Sequence, residues 1–222
     1  RPAMRTRRPL NKEIVVTSPT FAAIRTDERF ICVLALSRLI NALSVARGPI
    51  MTPMRWQTPR AQRERMSALL YAGAVLHEGL LLSRNLGRDF RHLPQYKRGF
   101  ARIHRSKRYQ KLQGWLKTIR NQAAFHFDAD LVRASLKDAD QSEYRVVLLR
   151  SKRLGDVYHS LADDVVFWRL FGTTLSQDEA IRQFTELSSG IGDLFEDFMV
   201  SAGSLIPAAL LELGCVRRPV AR

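Results

Sequence analysis

Apolar residues recur along this chain at three- and four-residue steps, the period of amphipathic helices rather than of strands. From Asp27 to Arg47 the positions Phe30, Ile31, Leu34, Leu39, Ile40 and Leu43 line one face. Asp27 is placed to cap the first turn, and Gly48-Pro49 is expected to end the helix. A second helix is expected from Pro59 to Arg84, with Thr58 as N-cap and the proline at the first helical position. After a basic connector over residues 87–94, a helix is expected from Ser106. Its apolar positions Tyr109, Leu112, Leu116, Ile119 and Ala123 lead to His126 on 3,4,3,4,3 steps, a stripe like that of a coiled coil.

Beyond this helix the pattern changes. A short helix is expected over residues 128–138, and Tyr144 to Leu149 (YRVVLL) reads as a strand. Val157 to Ser160 is its hairpin partner across a Lys152–Gly155 turn, and residues 161–171 again read as helix. The last long helix starts at Ser176, which forms a capping box with Glu179. Ile181, Phe184, Ile191, Phe195 and Phe198 form its stripe, Pro207 is expected to kink or end it, and Gly214 to close it. The fold class is therefore mainly α: a helical bundle with a small β-hairpin insertion, residues 143–160, between the motif helix and the C-terminal helices. Residues 20–214 form the single domain, residues 1–19 a basic N-terminal extension and residues 215–222 a basic C-terminal tail.

Composition sharpens the picture at two points. The net charge of +15 over 222 residues points to polyanionic partners. That charge is segregated: between Arg84 and Arg120 twelve Lys/Arg face one acid, and between Asp156 and Glu212 ten acids face two arginines. Tyr96, Phe100, Tyr109 and Trp115 interleave the basic run, as aromatics do on a nucleic-acid surface; the alternative is a solvated helix face whose aromatics point into the core. The acidic C-terminal half could dock on this run, within one chain or between two. Cys32 and Cys215 have no CxxC spacing, so neither a disulfide framework nor a zinc site is expected and the cytoplasm is the default location. No membrane span is expected either, because Arg38 and Asn41 interrupt residues 30–45 and His77 and Glu78 interrupt residues 68–82.

The chemistry concentrates in the string Arg120-Asn121-Gln122-Ala123-Ala124-Phe125-His126. An imidazole moves protons near neutral pH and a guanidinium grips phosphate with a fixed fork. RNA cleavage by its own 2′-OH needs a proton removed, phosphoryl charge stabilised and a leaving oxygen protonated. His126 suits the proton transfers, Arg120 the charge, and Asn121 can orient either. Arg102, Arg105, Lys107, Arg108, Lys111 and Lys117 on the adjoining run are the candidate nucleic-acid contacts. No cofactor is expected, no carboxylate cluster or His pair has metal-ligand spacing, and GxxxxGK[ST] does not occur. On a regular helix Arg120 and His126 stand roughly 120° apart and about 9 Å along the axis. Either the helix distorts near Phe125 or a second copy completes the site, and the interface-like stripe favours a homodimer. Chance offers the same spacing: among 29 arginines, Arg98 stands likewise before His104, though Gly99 and not a polar residue follows it. On that reading His126 is a packed core histidine and Arg120 a salt-bridge partner.

Arg120-Asn121-x4-His126, at the end of the third major helix of a helical bundle, resembles the RX4–6H motif of the HEPN superfamily, in which a polar residue often follows the arginine. The resemblance implies a metal-independent endoribonuclease, commonly homodimeric with a composite site, leaving 2′,3′-cyclic phosphate ends. It implies Arg120 and His126 as catalytic and Asn121 as supporting, and a toxin or phage-defence role, in some cases with a neutralising partner protein. One subgroup carries tyrosine two residues after the histidine; here Asp128 stands there. The competing expectation is a non-catalytic helical module that binds nucleic acid or a partner protein.

Overall fold

The computed structural model describes residues 12–51, 59–123, 148–149, 158–159 and 177–219. Their order is β1 (Lys12–Val15), α1 (Ser18–Ile24), α2 (Glu28–Met51), α3 (Pro59–Phe90), α4 (Pro94–Arg98), α5 (Phe100–Arg105), α6 (Lys107–Thr118), a π-helical turn (Ile119–Ala123), β2 (Leu148–Leu149), β3 (Tyr158–His159), α7 (Gln177–Glu212) and β4 (Val216–Pro219). The described chain is mainly α, as its periodicity predicts.

Local chemistry starts and stops these helices. Asp27 Oδ1 accepts from the Arg29 backbone N–H at 2.8 Å, as expected of a cap, and Ser106 Oγ from that of Tyr109 at 3.1 Å, which starts the motif helix where the sequence places it. At the end of α7 Gly214 adopts φ 87°, a left-handed conformation that glycine takes without a Cβ penalty. Its N–H reaches Leu211 O at 3.1 Å while the N–H of Cys215 reaches Leu210 O at 3.0 Å, the paired bonds of a Schellman stop.

Several boundaries differ from the sequence reading, each for a packing reason. Helix α2 runs past Gly48-Pro49 to Met51 and buries Ile50. A proline so near the end forfeits one helical bond among carbonyls that are already losing theirs. Helix α7 likewise continues past Pro207, since Leu205, Ala209 and Leu213 on both sides of it stay buried in the core. Helix α3 extends to Phe90, also buried, so the expected connector is helical to that residue. Strand β1, read from sequence as part of an extension, pairs antiparallel with β4, read as part of a tail; Glu13 stands opposite Arg218. Short strands with few apolar residues carry little periodic signal, and only their pairing reveals them. Of the expected hairpin the described residues show two pairs, Leu148 with His159 and Leu149 with Tyr158; its turn and residues 144–147 lie outside them. The helices expected over 128–138 and 161–171 lie outside the described residues.

Helix α3 is the centre of the bundle. It packs on α2, α6 and α7, with Leu69, Ala72, Val75, Leu76, Leu80 and Leu86 buried. Neighbours approach three of its glycines closely, Gly87 meeting the Tyr96 hydroxyl most tightly. A Cβ on Gly79 would stand 2.5 Å from Cζ of Phe198, and one on Gly73 3.3 Å from the Ile119 side chain. The motif helix's stripe is core as well: Tyr109, Leu112, Leu116 and Ile119 are all buried against these helices. The described part of the stripe, Tyr109 to Ile119, is thus covered within one chain.

The expectation that no helix could span a bilayer needs correction. Segments of α2 (Glu28–Ile50), α3 (Glu64–Phe90) and α7 (Arg182–Glu212) are long and apolar enough to cross one, with mean hydropathies of 1.6, 1.3 and 1.5. Isolated polar residues such as Arg38 or Glu78 interrupt the pattern without lowering the average enough, and the helices are longer than periodicity indicates. In α3, 56% of the apolar window is buried inside the bundle, but in α2 only 28%.

Gly79→Ala should lower stability by about 1–2 kcal/mol, because overpacking against Phe198 outweighs the better helix propensity of alanine. Chemical denaturation of the purified variant checks this.

Candidate functional site

Helix α6 does not continue regularly into the motif. After Thr118 the backbone widens into the π-helical turn Ile119–Ala123, which contains both Arg120 and Asn121. Such turns interrupt α-helices chiefly at functional sites. The distortion near Phe125 that sequence geometry offers as one of two alternatives falls outside the described residues; the π-helical turn at 119–123 precedes it. Ile119 anchors it, fully buried against α3.

Arg120 next to this anchor reaches toward α3. Its Nε donates to Glu78 Oε1 at 2.7 Å and its Nη1 to Asn121 Oδ1 at 3.0 Å. Among the described residues no acceptor meets Nη2. The Arg120 and Glu78 side chains keep 43% and 44% of their exposure, so the pair is half-solvated. An ion pair of that kind contributes at most about 1 kcal/mol. Its consequence is geometric: two contacts hold the guanidinium plane of a side chain that is still 43% exposed.

Two residues of this cluster were not among the sequence candidates. Glu78 supplies the carboxylate, and His77 precedes it on α3, half-buried. Burial holds the His77 imidazole below its ordinary range; the Glu78 carboxylate opposes this, and the Arg120, Lys117 and Arg84 cations reinforce it. The signal was legible as an anomaly, since a carboxylate midway along a core helix needs a partner. Which partner was not legible, because Glu78 and Arg120 lie 42 residues apart. His126 lies outside the described residues, so the described cluster is Glu78, Arg120 and Asn121 with His77 and Lys117 around it.

Arg102, Arg105, Lys107, Arg108, Lys111 and Lys117 are all exposed. They do not act as one surface. Arg108 turns to α7, with Nη2 3.3 Å from Asp193 and Nη1 3.8 Å from Asp197. The acidic C-terminal half therefore meets the basic run within one chain. Arg108, Lys111 and Trp115 line an open cavity of about 740 Å³ whose far wall includes Glu186 and Asp193. Arg102 lines a second, of about 550 Å³, opposite Glu196 and Asp197. Arg105 Nε donates to Ala101 O at 3.0 Å on its own helix. Of the interleaved aromatics Tyr96, Phe100 and Tyr109 are buried, so the core takes them rather than a ligand; Trp115 alone is half-exposed in the first cavity.

His104 is a packed histidine. It shares a 2.9 Å hydrogen bond with Ser83 Oγ and stands edge-on to the Tyr109 ring. Burial, with the Arg84 cation, pushes its pKa down to about 4. The second arginine-to-histidine spacing in the chain thus ends on a structural contact with α3. Among the described residues no three His, Cys, Asp or Glu side chains gather where they could hold a metal ion.

No family model, curated protein or solved structure matches this chain. Its function is accordingly read from the residues themselves.

The His104 contact has a measurable signature. Its folded pKa of about 4 lies below the ordinary 6.5, so the unfolded chain takes up the proton first as pH falls. Stability carried by neutral His104 is complete above about pH 6.5 and is lost as pH falls toward 4. Thermal melts of wild type and His104→Gln over this window should show a shallower acid slope in the variant.

Proposed function

We propose that this chain is a cytoplasmic, metal-independent endoribonuclease of the HEPN type that cleaves RNA through its own 2′-OH. One observation supports this above the others: Arg120 stands in a π-helical turn, oriented by Glu78 and Asn121, with its side chain 43% exposed. In the proposed reaction a base removes the 2′-OH proton, the 2′-oxygen attacks phosphorus, and the 5′-oxygen leaves with a proton, closing a 2′,3′-cyclic phosphate. Arg120 neutralises the charge that builds on the non-bridging oxygens. Glu78 acts through Arg120 as a positioning residue, and Asn121 does so from the other side. His126 is the proton carrier that the motif supplies. A toxin or defence role, with a neutralising partner protein and a homodimeric state, belongs to the same proposal.

A second reading rests on the same ion pair. If the Arg120–Glu78 contact only ties α6 to α3, the chain is a non-catalytic module that binds RNA or a protein through its basic helices.

The deciding experiment is cleavage of mixed RNA in EDTA with end-group analysis. Wild type should yield cyclic-phosphate ends, and Arg120→Ala and His126→Ala should each lose at least about 100-fold in rate. Glu78→Gln should lower kcat more than it changes KM, since the carboxylate never touches substrate. Equal cleavage by wild type and both motif variants would place the activity elsewhere, and no cleavage by any would favour the binding module.

RNA affinity should also fall with salt. Lys107→Glu with Lys111→Glu should reduce the slope of log affinity against log salt by about 0.7 for each single-strand phosphate that the variant no longer neutralises. Filter binding across a salt series reads this out.

A further inference from the structure

Helix α2 is apolar on both sides. Its inner face, Phe30, Val33, Leu36, Leu43, Ala46 and Ile50, is buried against the bundle. On its opposite side Ile31, Leu34 and Val45 remain 43%, 48% and 78% exposed. With Arg38, Asn41 and Gly48 they follow 3,4,3,4,3 steps, the repeat of a two-helix seam. The motif helix has the same repeat, but the described part of its stripe is covered in the core. The α2 stripe is the heptad-spaced face left outside among the described residues.

We propose that this outer face of α2 is an interface on which a second copy of the chain seats antiparallel. The stripe is complementary to itself in one register. With Leu34 against Val45 of the other copy, Arg38 meets Asn41, and Ile31 meets Gly48, where the missing side chain leaves room for it. The arrangement is isologous, so each of these contacts occurs twice. A guanidinium donates to the amide oxygen of Asn41, which gives the polar layer a partner in the middle of an apolar seam. The neighbouring register, centred on residue 38, sets the two guanidiniums face to face and is disfavoured by their like charge. A single polar layer that selects one register is how such seams gain specificity.

The same two residues favour a second copy over a bilayer. Arg38 and Asn41 lie midway along the apolar stripe, where hydrocarbon would have to accommodate a charge and an amide without partners. A second α2 supplies partners for both. The homodimeric state belongs to the nuclease reading as well, but the interface uses none of the residues around Arg120, so sedimentation and crosslinking test it apart from cleavage.

Sedimentation of the full chain across a concentration series should show a species of twice 25.4 kDa, and Leu34→Glu or Val45→Glu should return it to the monomer. The register is tested in a Cys32→Ser background. Leu34→Cys combined with Val45→Cys should form a disulfide between copies under mild oxidation, and neither single cysteine should. Circular dichroism and melting temperature identify any variant that fails to fold, and the crosslink then carries the test in its place. A wild-type monomer at every concentration overturns the proposal. So does a dimer that survives both glutamate variants, or crosslinking through either single cysteine, which marks a parallel pair. Flotation with phosphatidylserine vesicles that is lost in Val45→Glu, from a protein monomeric in solution, would instead make the face a membrane contact.

Discussion

Helix α3 has to bury itself against α2, α6 and α7 at once, and the rest of the described structure depends on how closely those helices can approach it. Glycines set that distance at two places. Gly79 receives the ring of Phe198, and Gly73 receives Ile119, each at a spacing that would crowd a Cβ. The large side chains come from the neighbours and the small ones from α3, which lets fully buried rings and branched chains interdigitate without voids. Burial of a side chain such as Phe198 contributes about 1.5–3 kcal/mol, and only close approach realises it.

The same constraint shapes the candidate site. Because Ile119 is locked into α3, the backbone on either side of it has little freedom, and the helix widens there instead of continuing regularly. Arg120 is carried to the rim of the α3–α6 contact, where Glu78 meets it. Core packing thus fixes the base of the arginine, and a half-solvated carboxylate fixes its head. Neither contact is strong alone. Together they give a guanidinium of defined orientation at an accessible edge, which is what phosphate recognition asks of an arginine.

Charge segregation has a plainer consequence than its size suggests. Acids of α7 face arginines of α5 and α6 across open cavities, so part of the basic run is matched within the chain and part is left to solvent. Arg108 belongs to the matched part, Lys107 and Lys117 to the exposed part. The field that a polyanion would meet is therefore narrower than the count of cations implies.

Period and punctuation alone determined the long helices α2, α3, α6 and α7 and several of their ends. The caps at Asp27 and Ser106, the stop at Gly214 and the pairing of Leu148 with His159 and of Leu149 with Tyr158 follow from local rules, because the interactions that set them lie close together in the chain. That Arg120 and Asn121 stand side by side at the end of the motif helix was also legible; the π-helical turn that holds them was not. Tertiary structure decided what local rules cannot reach. Pro49 and Pro207 sit inside helices because burial on both sides outweighs one lost hydrogen bond. Residues 12–15 pair with 216–219 because the bundle brings the two segments together. Glu78 finds Arg120, and Tyr96 and Tyr109 turn inward, because distant helices are neighbours in space. Sequence period says that a face is apolar; only packing says whether that face is already covered, as on α6, or still open, as on α2.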